Sequence, residues 1–125
     1  MIALLSSWIP PIAWMALIVF LSSQSSLPLP QGLLGEITSN LAHFLVYGVL
    51  TVLYYRALIY IEGLRSIGIY AIALSAVYGM TDEIHQAFVP HRTPSLIDLA
   101  VDVLGSLIFL GLIALARRQG YMFKN

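Results

Sequence analysis

The sequence predicts an all-α protein that crosses the membrane as a four-helix bundle. Of its 125 residues, 59% are hydrophobic and only 10% are charged, whereas a soluble domain carries roughly a quarter charged residues. A chain this short has too much surface for its volume to hide that apolar content from water in one core. Helices satisfy their own backbone groups in lipid, and no strand-type alternation is present. We therefore expect a single membrane domain over residues 1–125.

Four apolar segments supply the predicted helices. Each is close to the roughly 20 residues that cross a hydrocarbon core of about 30 Å. Prolines and glycines interrupt the chain between the first and second segments and again before the fourth, which discourages continuous helix. The predicted helices cover residues of about 3–22, 39–60, 67–88 and 95–116.

Individual residues predict where these helices begin. Pro10 and Pro11 predict either a kink in the first helix or its start. Ser39 or Asn40 is suited to cap the second helix, and Ser95 is suited to cap the fourth.

Basic residues predict the orientation of the bundle. Arg56 and Arg65 flank the link between the second and third helices, and Arg117, Arg118 and Lys124 follow the fourth. Four spans place these two regions on one side, which the positive-inside bias assigns to the cytoplasm. Both termini are then expected to be cytoplasmic, and the loops after the first and third helices to face outward.

Polar residues of separate helices are expected to meet at one depth. Asp82 lies fifteen residues after the start of the third helix, and Asp102 lies fifteen residues before Arg117, so both sit about 22 Å above the inner boundary. His43 falls close to that level on the second helix. Helical spacing also gathers these residues into stripes that must face the bundle interior rather than lipid. The stripes are Asn40, His43 and Tyr47; Asp82, His85 and Gln86; and Asp98 and Asp102.

Four acids in one apolar place repel one another unless some hold protons or a cation is present. Ionisable residues inside a membrane point to a functional site, here one for acid–base chemistry, proton coupling or a divalent cation. The alternative is a structural ion-pair network that includes Arg92. The candidate catalytic residues are Asp82, Glu83, His85 and His43.

Arg92 lies in a short outer loop between Pro90 and Pro94. Its guanidinium is suited to a two-pronged contact with a phosphate or carboxylate, or to a salt bridge with Glu83 or Asp98. We predict an outward-facing polar pocket. Its ligand-binding residues are Gln24, His43, Tyr47, Gln86, Arg92, Asp98 and Asp102.

Other chemistries have little support. No H-E-x-x-H pattern occurs, and the Asp82-x-x-His85 spacing is common, so no metal site is predicted. No cofactor motif is evident, and the absence of cysteine excludes thiolate chemistry. A net charge of zero with scattered basic residues argues against nucleic acid as a partner.

The ordered motifs resemble the VanZ-like family of small bacterial membrane proteins. The third helix and following loop carry the most specific part, Asp82-Glu83-Ile84-His85-Gln86-Ala87-Phe88-Val89-Pro90 with Arg92. Asn40 is a departure, because the family often has a lysine there, which changes the charge balance of the second helix. The other matching pieces are Phe20-Leu21-Ser22-Ser23-Gln24, Leu41-Ala42-His43-Phe44 with Tyr47, and Asp98, Asp102 and Gly105.

The resemblance implies a multi-pass protein of the cell membrane. Some members are linked to glycopeptide resistance, teicoplanin in particular, which places the function in the cell envelope. Membrane lipid and a lipid-linked cell-wall precursor are the partners this suggests. A membrane hydrolase using a carboxylate and a histidine, or a purely structural network, stays open, as do the ligand, any reaction and the oligomeric state.

Overall fold

The computed structural model describes residues 2–25, 28–61 and 66–119. The described residues contain five helices and no strand, which confirms the all-helical prediction. The first two helices together occupy the first predicted span, so the described residues form four helical rods. The helices are α1 (Ile2–Ser7), α2 (Ile9–Ser22), α3 (Leu33–Leu58), α4 (Ile67–Gln86) and α5 (Leu96–Arg118).

The first rod is interrupted at Trp8. Pro10 and Pro11 occupy the first turn of α2, where their missing N–H groups cost nothing. A continuous helix would instead place their rings against the carbonyl groups of Ser6 and Ser7, four residues earlier. The predicted proline effect is confirmed, and it takes the form of a new helix start.

The prediction that the second helix begins at residue 39 is wrong. α3 begins at Leu33, and its N-cap is Gly32, whose φ of 67° is suited to glycine. Gly35 then allows a close approach, because a Cβ there would lie 2.1 Å from the Pro30 carbonyl oxygen. The prediction that Ser39 or Asn40 caps this helix is wrong, because both residues lie inside it. The remaining predicted ends of α4 and α5 fall within two residues of those observed.

Three helical stretches are long and apolar enough to cross a membrane: Leu4–Ser22, Leu33–Leu58 and Leu96–Arg118. α4 has 20 residues, enough for about 30 Å of helix, but its last turns carry several polar residues and it does not reach the same apolarity. Large hydrophobic side chains cover the outside of the bundle, with Phe88 82% and Leu96 85% exposed. Apolar surface on this scale fits a lipid environment.

The longest helix, α3, contacts each of the other four. Its packing against α5 is closest at Gly105, where a Cβ would lie 2.2 Å from the Phe44 carbonyl oxygen. Gly79 and Gly48 also face groups of neighbouring helices, whereas Gly111 has open space around it. The predicted cap of α5 is confirmed, since the Ser95 hydroxyl accepts a hydrogen bond from the Asp98 N–H.

Aromatic side chains fill the middle of the bundle. Tyr54 is buried, with its hydroxyl 3.0 Å from the Met15 sulfur. The Tyr78 hydroxyl donates to the Met15 carbonyl oxygen, and the Trp14 ring N–H donates to the Val46 carbonyl oxygen. These bonds satisfy polar ends in an otherwise apolar setting and tie α2 to α3 and α4.

Gly105→Ala should destabilise the bundle, because the added methyl group meets a backbone carbonyl that cannot turn away. We expect a loss of about 1–3 kcal/mol in the free energy of unfolding, measured by thermal or denaturant unfolding in detergent micelles. Gly111→Ala on the same helix is the matched control and should be neutral or stabilising by up to about 1 kcal/mol. Equal effects of the two substitutions would contradict the close crossing of α3 and α5.

Candidate functional site

The centre of the site is a histidine–carboxylate pair that joins α3 to α5. His43 Nδ1 lies 3.0 Å from Asp102 Oδ1. Asp102 is 1% exposed and His43 is partly buried, so the carboxylate is shielded from solvent while the imidazole is less so. With Asp102 ionised, this bond requires the proton on His43 Nδ1, because a carboxylate only accepts hydrogen bonds. This contact confirms the prediction that His43 of the second predicted helix and Asp102 of the fourth lie close together.

A second acid lies on the other edge of the same imidazole. Asp98 Oδ2 is 3.9 Å from His43 Nε2, and the side chain is half-buried. Asp98 and Asp102 lie on one face of α5, one turn apart, which is the stripe predicted from their spacing. His43 therefore lies between two acids, with the stronger contact to Asp102.

The two acids of α4 have different surroundings. Asp82 Oδ2 accepts a hydrogen bond of 3.1 Å from the Gln86 amide, while Oδ1 is buried with no hydrogen-bond partner among the described residues. Glu83 Oε2 accepts a 2.6 Å bond from the Ser95 N–H, which caps the start of α5 from a neighbouring helix. Both side chains are buried, which confirms that this part of α4 faces the bundle.

His85 does not join the acids. Its Nε2 lies 3.0 Å from the Ser23 hydroxyl, at the end of α2. Neither Asp82 nor Glu83 forms an ion pair with a histidine among the described residues, and His43 is bonded to Asp102 instead. Helical spacing placed His85 on the Asp82 face, but the side chain turns toward α2 instead.

Arg92 forms no ion pair with an acid among the described residues. Its Nε donates a 3.1 Å hydrogen bond to the Gln24 backbone carbonyl oxygen. The Gln24 side chain donates to the Phe20 carbonyl oxygen of its own helix. The salt bridges considered for Arg92 with Glu83 and Asp98 are therefore wrong, and the contact of Gln24 with Arg92 is through its backbone.

A cavity of about 120 Å³ opens beside this cluster. Both apolar and polar side chains line it. Of the predicted ligand-binding residues, four line it, whereas Gln24, Asp98 and Asp102 do not. The apolar lining residues include Ile18, Leu21, Leu29 and Val46, and the polar ones include His43, Tyr47, Asp82, Gln86 and Arg92.

Tyr47 lines the cavity. It is 1% exposed, its ring stacks on that of His43 with centroids 6.1 Å apart, and its hydroxyl has no hydrogen-bond partner among the described residues. Gly79 makes room for it, since a Cβ there would lie 3.3 Å from the Tyr47 ring and 3.0 Å from Asp102 Oδ2. A buried polar atom without a partner is costly and commonly marks a ligand site.

A seam of hydroxyl groups next to the site was not predicted. The Thr51 hydroxyl lies 2.7 Å from that of Ser106, which lies 3.3 Å from that of Ser75. These residues are one helical turn from Tyr47, Gly79 and Asp102. That spacing is the signal that would have found them, because small hydroxyl residues in membrane-type helices often bond across the interface.

Together the fold and the site define a small all-helical protein of membrane type, with its ionisable side chains gathered inside the bundle. The family model described as VanZ/LLP1 matches residues 7–117. The chain therefore belongs to the VanZ/LLP1 family, which confirms the resemblance found in its motifs. Searches among curated proteins and among solved structures gave no significant match.

The distances predict unequal energetic coupling of His43 with the two acids of α5. A double-mutant cycle of His43→Ala with Asp102→Ala should give a coupling of about 1–3 kcal/mol, because each single variant leaves a buried partner unpaired. The matched cycle with Asp98→Ala should give less than about 1 kcal/mol, since that contact is long and partly solvated. Unfolding in detergent micelles provides the measurement. Equal couplings would show that Asp102 is not the principal partner.

Proposed function

We propose that this protein is a multi-pass integral protein of the cell membrane that binds the anionic head group of an envelope lipid. The observation that carries the proposal is a cavity lined by both apolar and polar side chains, with Arg92 among them. An amphiphile presents both kinds of surface, so its head group would contact the polar residues while its chain follows the apolar side. The preference for a phosphorylated, lipid-linked precursor rests on Arg92.

Arg92 is suited to contact an anionic group. Its Nε is occupied by the Gln24 carbonyl oxygen, which holds the guanidinium in place. Its two terminal nitrogens form no hydrogen bond or ion pair within the described part of the chain. A guanidinium fixed at one nitrogen and open at the others is well prepared for a two-pronged contact with phosphate.

The size of the cavity limits what can enter it. At about 120 Å³ it is slightly smaller than a cavity that holds benzene, which is about 150 Å³. One phosphate group fits this space, whereas a sugar or peptide attached to it must remain outside. The ligand class favoured is therefore a polyprenyl phosphate or a similar lipid whose phosphate is accessible. Binding such a precursor would also account for an influence on teicoplanin susceptibility.

A hydrolase is the second candidate, and the His43–Asp102 pair favours it. An imidazole oriented by a buried carboxylate is a common arrangement for a general base, and His43 also lines the cavity. In this alternative the bound lipid would be cleaved rather than only held. Asp82, with a free buried oxygen beside the same space, would be the second group available for proton transfer.

We further propose that α4 also crosses the membrane, which gives four spans in all, and that the cavity faces outward. The positive-inside bias of Arg56, Arg117 and Arg118 supports this orientation. The other two basic residues used to predict it, Arg65 and Lys124, lie outside the described residues. Arg92 and the end of α2 are at the opposite end of the bundle from Arg118, which would place the lipid site at the outer leaflet.

Arg92→Gln should weaken binding of a polyprenyl phosphate about tenfold or more, because a charged hydrogen bond is worth about 1.5–3 kcal/mol. Affinity is measured by native mass spectrometry or calorimetry in detergent, with the neutral polyprenol of the same chain length as the ligand control. Arg118→Gln, which removes the same charge from an exposed position, should leave affinity unchanged.

Equal binding of phosphate and alcohol, or equal losses from both arginine variants, would contradict a phosphate site at Arg92. Release of inorganic phosphate from the bound lipid would instead indicate the hydrolase. Retention of lipid without turnover supports the binding protein.

A single cysteine can test the orientation, because the natural chain has none. Ser25→Cys should react with a membrane-impermeant maleimide in intact cells, since Ser25 is exposed in the loop after α2. Gln119→Cys, just after α5, should react only once the membrane is permeabilised. The reverse labelling pattern would invert the bundle, and labelling of both sites in intact cells would rule out an even number of spans.

A further inference from the structure

We propose that His43, Glu83 and Asp98 form a binding site for a divalent transition-metal ion, with Asp102 orienting the imidazole. Each of the three residues offers a ligand atom, and these atoms lie within 4.8 Å of one another. Donors that share one ion at about 2.0–2.6 Å are separated by at most about 4–5 Å. The three side chains come from α3, α4 and α5, so the ion would connect three helices.

The imidazole of His43 is prepared for coordination. Its Nδ1 is held by Asp102, which leaves the lone pair of Nε2 as the free donor. Nε2 lies 3.9 Å from Asp98 Oδ2, so two acceptor atoms face each other across this gap. Metal-bound histidines almost always donate their other ring N–H to a carboxylate or carbonyl group, as His43 does here.

Glu83 provides a second and independent indication of a ligand. Its side chain is 7% exposed, and its Oε1 is buried without a hydrogen-bond partner among the described residues. Its other oxygen is already bonded to the Ser95 N–H, which holds the carboxylate in place. A buried carboxylate oxygen is a strong acceptor, and a cation would satisfy it.

The charge balance also favours a cation. Three carboxylates, those of Glu83, Asp98 and Asp102, surround one imidazole, and Arg92 forms no ion pair with any acid in the part of the chain that the structure describes. Buried acids are strongly disfavoured unless a positive charge or a proton offsets them. A divalent ion would offset two negative charges and would satisfy Nε2 and the carboxylate oxygens together.

The donor set indicates which ions fit. One imidazole nitrogen with two carboxylates suits Zn²⁺, Mn²⁺ or Fe²⁺ better than Ca²⁺, which prefers an all-oxygen shell, or a copper(I) ion, which prefers sulfur. Three protein ligands leave at least one coordination position for water or an anion. This site does not depend on the proposed lipid ligand, because the ion can be measured in the absence of lipid.

The test uses full-length protein in detergent, treated with chelator and then titrated with ZnCl₂ or MnCl₂. We expect one ion per chain by calorimetry and a rise in the thermal unfolding midpoint, since a ligand that binds the folded state stabilises it. Glu83→Gln keeps an oxygen for the Ser95 N–H but weakens coordination, and should reduce affinity at least tenfold. Asp98→Asn, at a half-buried position, should do the same and serves as the second variant if Glu83→Gln does not fold.

Two further variants separate a built site from general attraction to negative charge. Glu36→Gln removes a carboxylate from an exposed position on the first turn of α3 and should leave affinity unchanged. Asp102→Asn should lower affinity about 10–100-fold, the usual effect of altering an outer partner of a ligand histidine.

The proposal would be overturned by the absence of saturable binding of either ion. It would also be overturned if Glu83→Gln, Asp98→Asn and Glu36→Gln all behaved alike. A further contrary result would be a His43 ring with protons on both nitrogens by ¹⁵N NMR after metal addition at neutral pH. In that case a charged imidazole, and no metal, would balance the two acids of α5.

Discussion

The buried contact between His43 and Asp102 is the constraint on which the rest of this structure depends. An ionisable group inside an apolar bundle is very unfavourable without a partner, so α3 and α5 must pack in the one register that brings these two together. Gly105 permits that register, because the Phe44 backbone approaches it more closely than any side chain would allow. The buried polar contact and the close approach at Gly105 are therefore two aspects of the same interface.

The other helices are positioned around this contact. α4 brings Glu83 to the start of α5 and places Gly79 against Asp102. The hydroxyl seam of Thr51, Ser75 and Ser106 continues the same three-helix junction by one turn. α2 packs against this junction. Its Met15 carbonyl oxygen accepts a hydrogen bond from Tyr78 of α4. Just after α2, Ser23 contacts His85, and the Gln24 carbonyl oxygen accepts a hydrogen bond from Arg92. Each polar link occurs where a membrane-type helix cannot rely on the hydrophobic effect for specificity.

His43 divides the site into two regions with different chemistry. One region is the cavity lined by apolar side chains together with Tyr47 and Arg92, which we propose takes an amphiphile with a negative head group. The other is the acid-rich side formed with Glu83 and Asp98, which suits a cation. The two proposals use different side chains apart from His43, and each can hold without the other. If both hold, a metal ion would lie close to a bound phosphate, and the excess of acids would no longer oppose the binding of an anion.

The composition and spacing of the sequence were sufficient for the helical class, for most helix ends and for the prediction that acids and His43 share one depth. These properties follow from local rules: apolar length sets spans, and a period of 3.6 residues sets faces. Tertiary structure alone decided which groups pair. His43 bonds Asp102 rather than an acid of α4, His85 turns to Ser23, and Arg92 contacts a backbone oxygen. Spacing fixes the direction of a side chain around its own helix, whereas its partner depends on the rotation and separation of neighbouring helices, which close contacts at Gly79 and Gly105 determine.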